Sequence, residues 1–255
     1  MQQFDTSAQP KARENPHFRV GTPKPLWQCA LTTLGYCPQG HLFAPTGAYL
    51  ELIEILSLLM LAAAALHWGN SQSRRQRTAL LAEHLQPFQI EKRMQQLTEA
   101  YMRALGESEP ERQSQVLQLQ EEAEQQLARQ FQELAHTFGQ LPAPQARTLK
   151  LALPGIEKVL PQSTFDTRRV LQVHADGIER VVRNEAGRSP RDKAFTLMAE
   201  MFLMQHSCHW FCRSKTIASA RMLAQHQTRY EQALDAVSPE TREAYLAVVN
   251  GPALG

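Results

Sequence analysis

Residues 205–213 read QHSCHWFCR, and within them His206, Cys208, His209 and Cys212 form the densest set of soft-ligand side chains in the chain. Thiolate sulfur and imidazole nitrogen both bind zinc, and Met198, Met201 and Met204 just upstream add thioethers of the kind that favour Cu(I). On a helix Cys208 and Cys212 fall about 40° apart, with His209 about 60° further round and His206 about 60° beyond that. Three of the four could face one ion, and a fourth donor could come from His174 on a preceding helix. The spacing H-x-C-H-x-x-C is not a zinc signature, however, and one helix cannot easily close a tetrahedron by itself. The run FTLMAEMFLM before it has the composition of a buried helix face, so core packing is the expected role of the cluster. Two cysteines four apart on a helix also point in parallel and make a poor disulfide.

Other candidates are weaker. Cys29, Cys37 and His41 lie before the most apolar stretch; on an oxidising face the two thiols could close a small disulfide loop, and in a reducing compartment they stay free. His174 with Asp176, and Asp176 with Glu179, are pairings that chance also supplies on amphipathic helices. Neither G-x-S-x-G nor H-E-x-x-H occurs, and no glycine-rich phosphate loop is present. The sequence therefore nominates no catalytic residue, no cofactor and no small-molecule substrate.

Arginine clusters at SRRQR (73–77), at Arg168 with Arg169, and at RSPRDK (188–193) have the chemistry to contact phosphates. A net charge of +2 gives no overall basic field, and the turns between helices are too proline-rich or too long for a helix-turn-helix. Nucleic acid is not the expected partner.

The elements that must position these groups are helical. Good helix formers dominate the interior, strict apolar alternation is scarce, and 43% hydrophobic content with 20% charge describes a folded chain. The excess of Arg over Lys suits a GC-rich bacterial source. Residues 1–47 are expected to be irregular and flexible: the first 25 hold four prolines, LWQCALTTL (26–34) fits a brief helix, and no apolar core of a cleavable export signal is seen.

Residues 48–68, AYLELIEILSLLMLAAAALHW, decide most of the remainder. As a helix their 21 residues would cover about 30 Å, the hydrocarbon thickness of a bilayer. Tyr49 and Trp68 sit at the two ends, Glu51 and Glu54 lie in the first turns, and Arg74, Arg75 and Arg77 follow the exit. By the positive-inside rule the C-terminal portion is then cytoplasmic and the membrane is the bacterial inner membrane. The competing expectation is a cytoplasmic chain in which this segment is the central helix of a soluble bundle, since only Ile55–Leu66 is free of charge.

From residue 69 to 255 the pattern predicts a helical domain. Helices are expected from about Arg75 to Leu105 with a break at Pro87, from Ser108 to Phe138, from Ala143 to Leu160, from a Ser163/Asp166 cap to Gly187, from Ser189 to about Val237, and from Ser238 to about Asn250. In the second of these, Val116, Leu119, Ala123, Leu127, Phe131, Leu134 and Phe138 form an apolar stripe that needs a partner helix, in the same chain or a second copy. The expected fold class is mainly α: a helical bundle with one strongly hydrophobic helix and a flexible N-terminal region. The expected role is a membrane-associated, non-enzymatic accessory or scaffold protein working through helical protein contacts or self-association. The alternatives are a soluble all-α regulator binding nucleic acid or a protein, and a soft-metal or thiol-based stress protein.

Overall fold

The computed structural model describes residues 46–150 and 163–251. The expected flexible tail, the brief helix over 26–34, Cys29, Cys37 and His41 lie outside the described residues, as does Pro154–Gly155. The protein is mainly helical, with nine helices and one two-stranded sheet among the described residues.

Helix α1 runs from Thr46 to Leu85. Trp68 is therefore no boundary: Gly69 is tolerated, and no proline intervenes before Pro87, whose ring cannot continue the helix. After the turn, α2 (Ile90–Leu105) buries Ile90, Met94, Leu97, Tyr101 and Ala104 at spacings of three and four, the stripe that an amphipathic helix lays against a core. Pro110 occupies the first turn of α3 (Pro110–Gln118), where its missing N–H costs nothing. Helix α4 (Glu121–Gly139) opens on Glu121, Glu122 and Glu124, acids placed at the positive end of the helix dipole.

The single helix expected from Ser108 to Phe138 is thus two. Leu127, Phe131, Leu134 and Phe138 are buried as the stripe requires, but Leu119 falls at the break, 79% exposed, and Leu117 is buried instead. The break shifts the helical phase, and α3 is left facing α2 and the later core helix.

Residues 147–149 form β1, not part of a helix. They pair antiparallel with β2 (Thr164–Asp166) in the register Arg147↔Asp166, Thr148↔Phe165, Leu149↔Thr164. Asp166, rather than Ser163, then caps α5 (Thr167–Val182), its carboxylate accepting the Arg168 N–H at 2.9 Å.

Ser189 caps α6 (Pro190–Cys212) as expected, accepting the Asp192 N–H at 3.2 Å. The predicted continuation to Val237 does not occur. Arg213 leaves helical geometry, Ser214 caps α7 (Lys215–His226), Gln227 closes it in the left-handed region at φ 53°, and α8 (Tyr230–Ala236) and α9 (Pro239–Asn250) complete the chain. Chain reversal lets α7 and α8 fold back onto α6. From Leu197 to Met204 every residue of α6 is buried, so this is the central helix of the domain, ringed by α5, α7, α8, α3 and α2.

Candidate functional site

The end of α6 distributes its four soft-ligand side chains among different neighbours. His206 is fully buried and turns toward α7 and α8: its Nε2 is 3.0 Å from Ser219 Oγ, and its ring lies 4.7 Å from that of Tyr230 and 5.9 Å from that of Trp210. Burial, then the charges of Lys215 and His209, pulls its pKa down to about 3. Cys208 Sγ lies 3.4 Å from Met204 Sδ, and burial pushes its thiol well above the usual range. His209 Nδ1 meets Arg221 Nη1 at 3.5 Å, and burial followed by the Arg221 and His226 charges lowers its pKa. Cys212 is half-buried beside Thr78 of α1, and its thiol is raised by burial.

Cys208, His209 and Cys212 do share one feature. With Met94 and Met204 they line a cleft of about 660 Å³ between the end of α1, the start of α2 and α6. His206 is not among its walls, and no three His, Cys, Asp or Glu side chains among the described residues are placed to hold one ion. His174, the fourth donor considered, is fully buried elsewhere: its Nε2 is 2.9 Å from Ser207 Oγ.

That His174–Ser207 pair is a contact that sequence spacing could not reveal, since the residues lie on α5 and α6. In a cleft, such a pair would be a base beside a nucleophile. Here both are sealed from solvent, and the Ser207 hydroxyl lies 3.0 Å from the Leu203 carbonyl, which it faces as a donor. Burial and the nearby His206 take His174 down to about 3, so a neutral imidazole ties two helices together. Glu200 is a second buried group that the sequence did not single out. Its Oε1 accepts the Ser238 N–H at 3.1 Å, and burial raises its pKa to about 7 against hydrogen bonds from Ser238 and Thr241 and the charge of Arg180.

Among the arginine clusters, Arg168 is occupied inside the fold: it chelates Asp166 at 2.6–3.1 Å and donates to the Leu141 carbonyl at 2.8 Å. Within RSPRDK, Lys193 pairs with the buried Glu124 at 2.6 Å. Asp176 and Glu179 accept from Gln132 at 3.3 and 2.7 Å, and Glu179 also pairs with Arg183.

The remaining feature is α1 itself. Every residue from Glu51 to Gly69 is exposed, and none of the apolar window of this helix is buried. Leu52, Ile53, Ile55, Leu56, Leu58, Leu59, Met60 and Leu61 point in all directions around the axis, and Tyr49 and Trp68, 65% and 78% exposed, stand near the ends. The expectation of a buried core helix at 48–68 is therefore not met; α6 holds that place. Beyond Gly69 the helix joins the domain. Leu81 is buried, the His84 ring meets Phe138 edge-on at 5.4 Å, and the Arg77 guanidinium lies 5.8 Å from the Phe211 ring centre. Arg74 is half-buried and Arg75 exposed. The chain matches no known family model, no curated protein and no solved structure.

Proposed function

We propose that this is a membrane-anchored, non-enzymatic accessory or scaffold protein of the bacterial inner membrane, whose helical domain works on the cytoplasmic side through contacts with another protein or a second copy. One observation carries the reading. Among the described residues two helical stretches lack a polar face, and a helix of that kind needs apolar surroundings on every side. For α6 the protein provides them; for Glu51–Gly69 it provides none. Each large aliphatic side chain left in water forfeits about 2 kcal/mol of burial, a loss that a hydrocarbon phase removes. Tyr49 and Trp68 fit the two interfaces, and Arg74, Arg75 and Arg77 follow on the side retained in the cytoplasm. The sealed His174–Ser207 pair is a link between helices, and neither cofactor nor substrate enters the reading.

The test is fractionation of the full chain expressed in a bacterial host. It should sediment with membranes through alkaline carbonate, and removal of residues 48–68 should release it. Recovery of the intact protein in the soluble fraction would reject the anchor and favour a soluble all-α regulator. Stoichiometric zinc or copper that is lost in a Cys208→Ser/Cys212→Ser variant would instead support the soft-metal alternative.

A further inference from the structure

A second cleft, of about 530 Å³, opens where α1 meets the domain, one turn past the exposed apolar segment. Its α1 wall presents Asn70, Ser71, Arg74, Arg75 and Thr78, whose spacing of three and four places them along one stripe of the helix. Arg213, the residue at which α6 stops, reaches it from the other side. Among the described residues no carboxylate lines this cleft. Some cations of the domain pair with acids, as in Arg168–Asp166, Arg183–Glu179, Lys193–Glu124 and Arg242–Asp235. Among the described residues Arg74, Arg75 and Arg213 form no such pair, and Arg74 Nε, like Arg93 Nε and Arg180 Nε elsewhere, is buried without a hydrogen-bond acceptor.

Arg75 and Arg213 are exposed and Arg74 half-buried, so the three cations around one concavity are accessible to an anion, and the unpaired buried N–H of Arg74 lacks the acceptor that such an anion would supply. Guanidinium forks from two different elements fit the tetrahedral oxygens of a phosphate better than a planar carboxylate partner would, and the Asn70 and Ser71 side chains add neutral donors. We infer that this cleft binds a phosphate-bearing anion, held chiefly by Arg74 and Arg213. The source favoured by its place on the helix is the headgroup of an anionic phospholipid. That choice of source rests on the membrane anchor proposed above; the anion site itself does not.

The experiment uses the purified full chain in an uncharged detergent, titrated calorimetrically with dihexanoyl phosphatidylglycerol, dihexanoyl phosphatidylcholine and inorganic phosphate. Wild type should bind the phosphatidylglycerol at least about tenfold more tightly than the phosphatidylcholine, and Arg74→Gln/Arg213→Gln should weaken it by at least about tenfold, as loss of charge-assisted hydrogen bonds requires. An Arg169→Gln variant, altered at an exposed arginine away from the cleft, should bind as wild type does. Inorganic phosphate binding as tightly as the lipid, and lost in the same double variant, also supports the anion site and assigns it to a soluble ligand. Wild type binding neither the phosphatidylglycerol nor phosphate overturns the proposal, as does equal binding by wild type and a double variant that melts at the wild-type temperature. Failure of the anchor is read separately, in the carbonate sediment.

Discussion

The ammonium of Lys193 lies 2.6 Å from the carboxylate of Glu124, whose other oxygen accepts the Tyr101 hydroxyl at 2.6 Å. The three residues join α2, α4 and the first turn of α6 in surroundings that leave the Glu124 side chain 4% exposed. Burial and the adjacent carboxylate also push the Tyr101 phenol far above its ordinary range, so it acts as a donor throughout the accessible pH scale. Removing one member of a buried ion pair strands the other, at a cost of about 3 kcal/mol. Lys193→Ala should lower the urea midpoint accordingly, whereas Lys193→Met/Glu124→Gln, which removes both charges and keeps an acceptor for the Tyr101 hydroxyl, should recover most of the loss. Equal destabilisation by the single and double variants would show that the pair's charge is not what matters.

Acid sensitivity should be set by two buried imidazoles. His174 and His206 have pKa values lowered from 6.5 to about 3, so the stability they contribute is complete above pH 6.5 and is lost as pH falls toward 3. Glu200 acts oppositely. Raised from 4.5 to about 7, it contributes stability that is present below pH 4.5 and lost as pH rises to 7. Between 4.5 and 6.5 the two buried histidines, joined by His209 and His226 whose pKa values are also lowered by burial, outweigh the one glutamate, leaving a net loss of stability on acidification. Glu200→Gln keeps the acceptor for the Ser238 N–H and removes the opposing titration, so the slope of stability against pH in that window should steepen. An unchanged slope in urea melts across that window would disprove the assignment.

At Gly177 a methyl group has no room. A Cβ there would stand 2.3 Å from Thr241 Oγ1 and 2.9 Å from Glu200 Oε2, so α5 can approach α6 and α9 this closely only with glycine at that position. Gly177→Ala should destabilise by about 2 kcal/mol, the order expected for overpacking a tight contact. Pairing it with Thr241→Ala should return part of the loss in thermal melts; no recovery would place the clash elsewhere.

The two α6 cysteines should differ in reactivity. Cys208 is buried against Met204, whereas Cys212 is half-exposed on the same cleft. Under native conditions iodoacetamide should modify Cys212 faster by at least about tenfold, a ratio read by peptide mass spectrometry. Equal rates would mean that the cleft opens as far as Cys208.

Punctuated helices were legible from the residues, and unpunctuated breaks were not. Ser189–Pro190 and Ser238–Pro239 mark starts that local backbone chemistry alone determines, and α6 and α9 begin there. The ends at Arg213 and Gln227 carry neither proline nor glycine; they arise because α7 and α8 must return to cover α6, a demand made by distant residues. The β1–β2 pairing is likewise non-local, each strand only three residues long in an otherwise helix-prone stretch, and Trp210 fixes it by donating to the Leu149 carbonyl at 2.9 Å. At the clefts the sequence supplied the residue types but not their grouping. His206 was separated from its neighbours by a helical angle legible from the spacing, whereas the placing of Arg213 and Arg74 on one cleft depends on where α6 stops.

Continuity of α1 through Trp68, Gly69 and Asn70 has a mechanical meaning. From Ile55 to Leu85 the apolar shaft and the arginine-bearing shank are a single torsional unit, so the domain's azimuth about that axis is set by residue count alone. One inserted alanine after Gly69 would swing Arg74 and everything clamped to Leu81 and His84 through about 100° relative to the shaft.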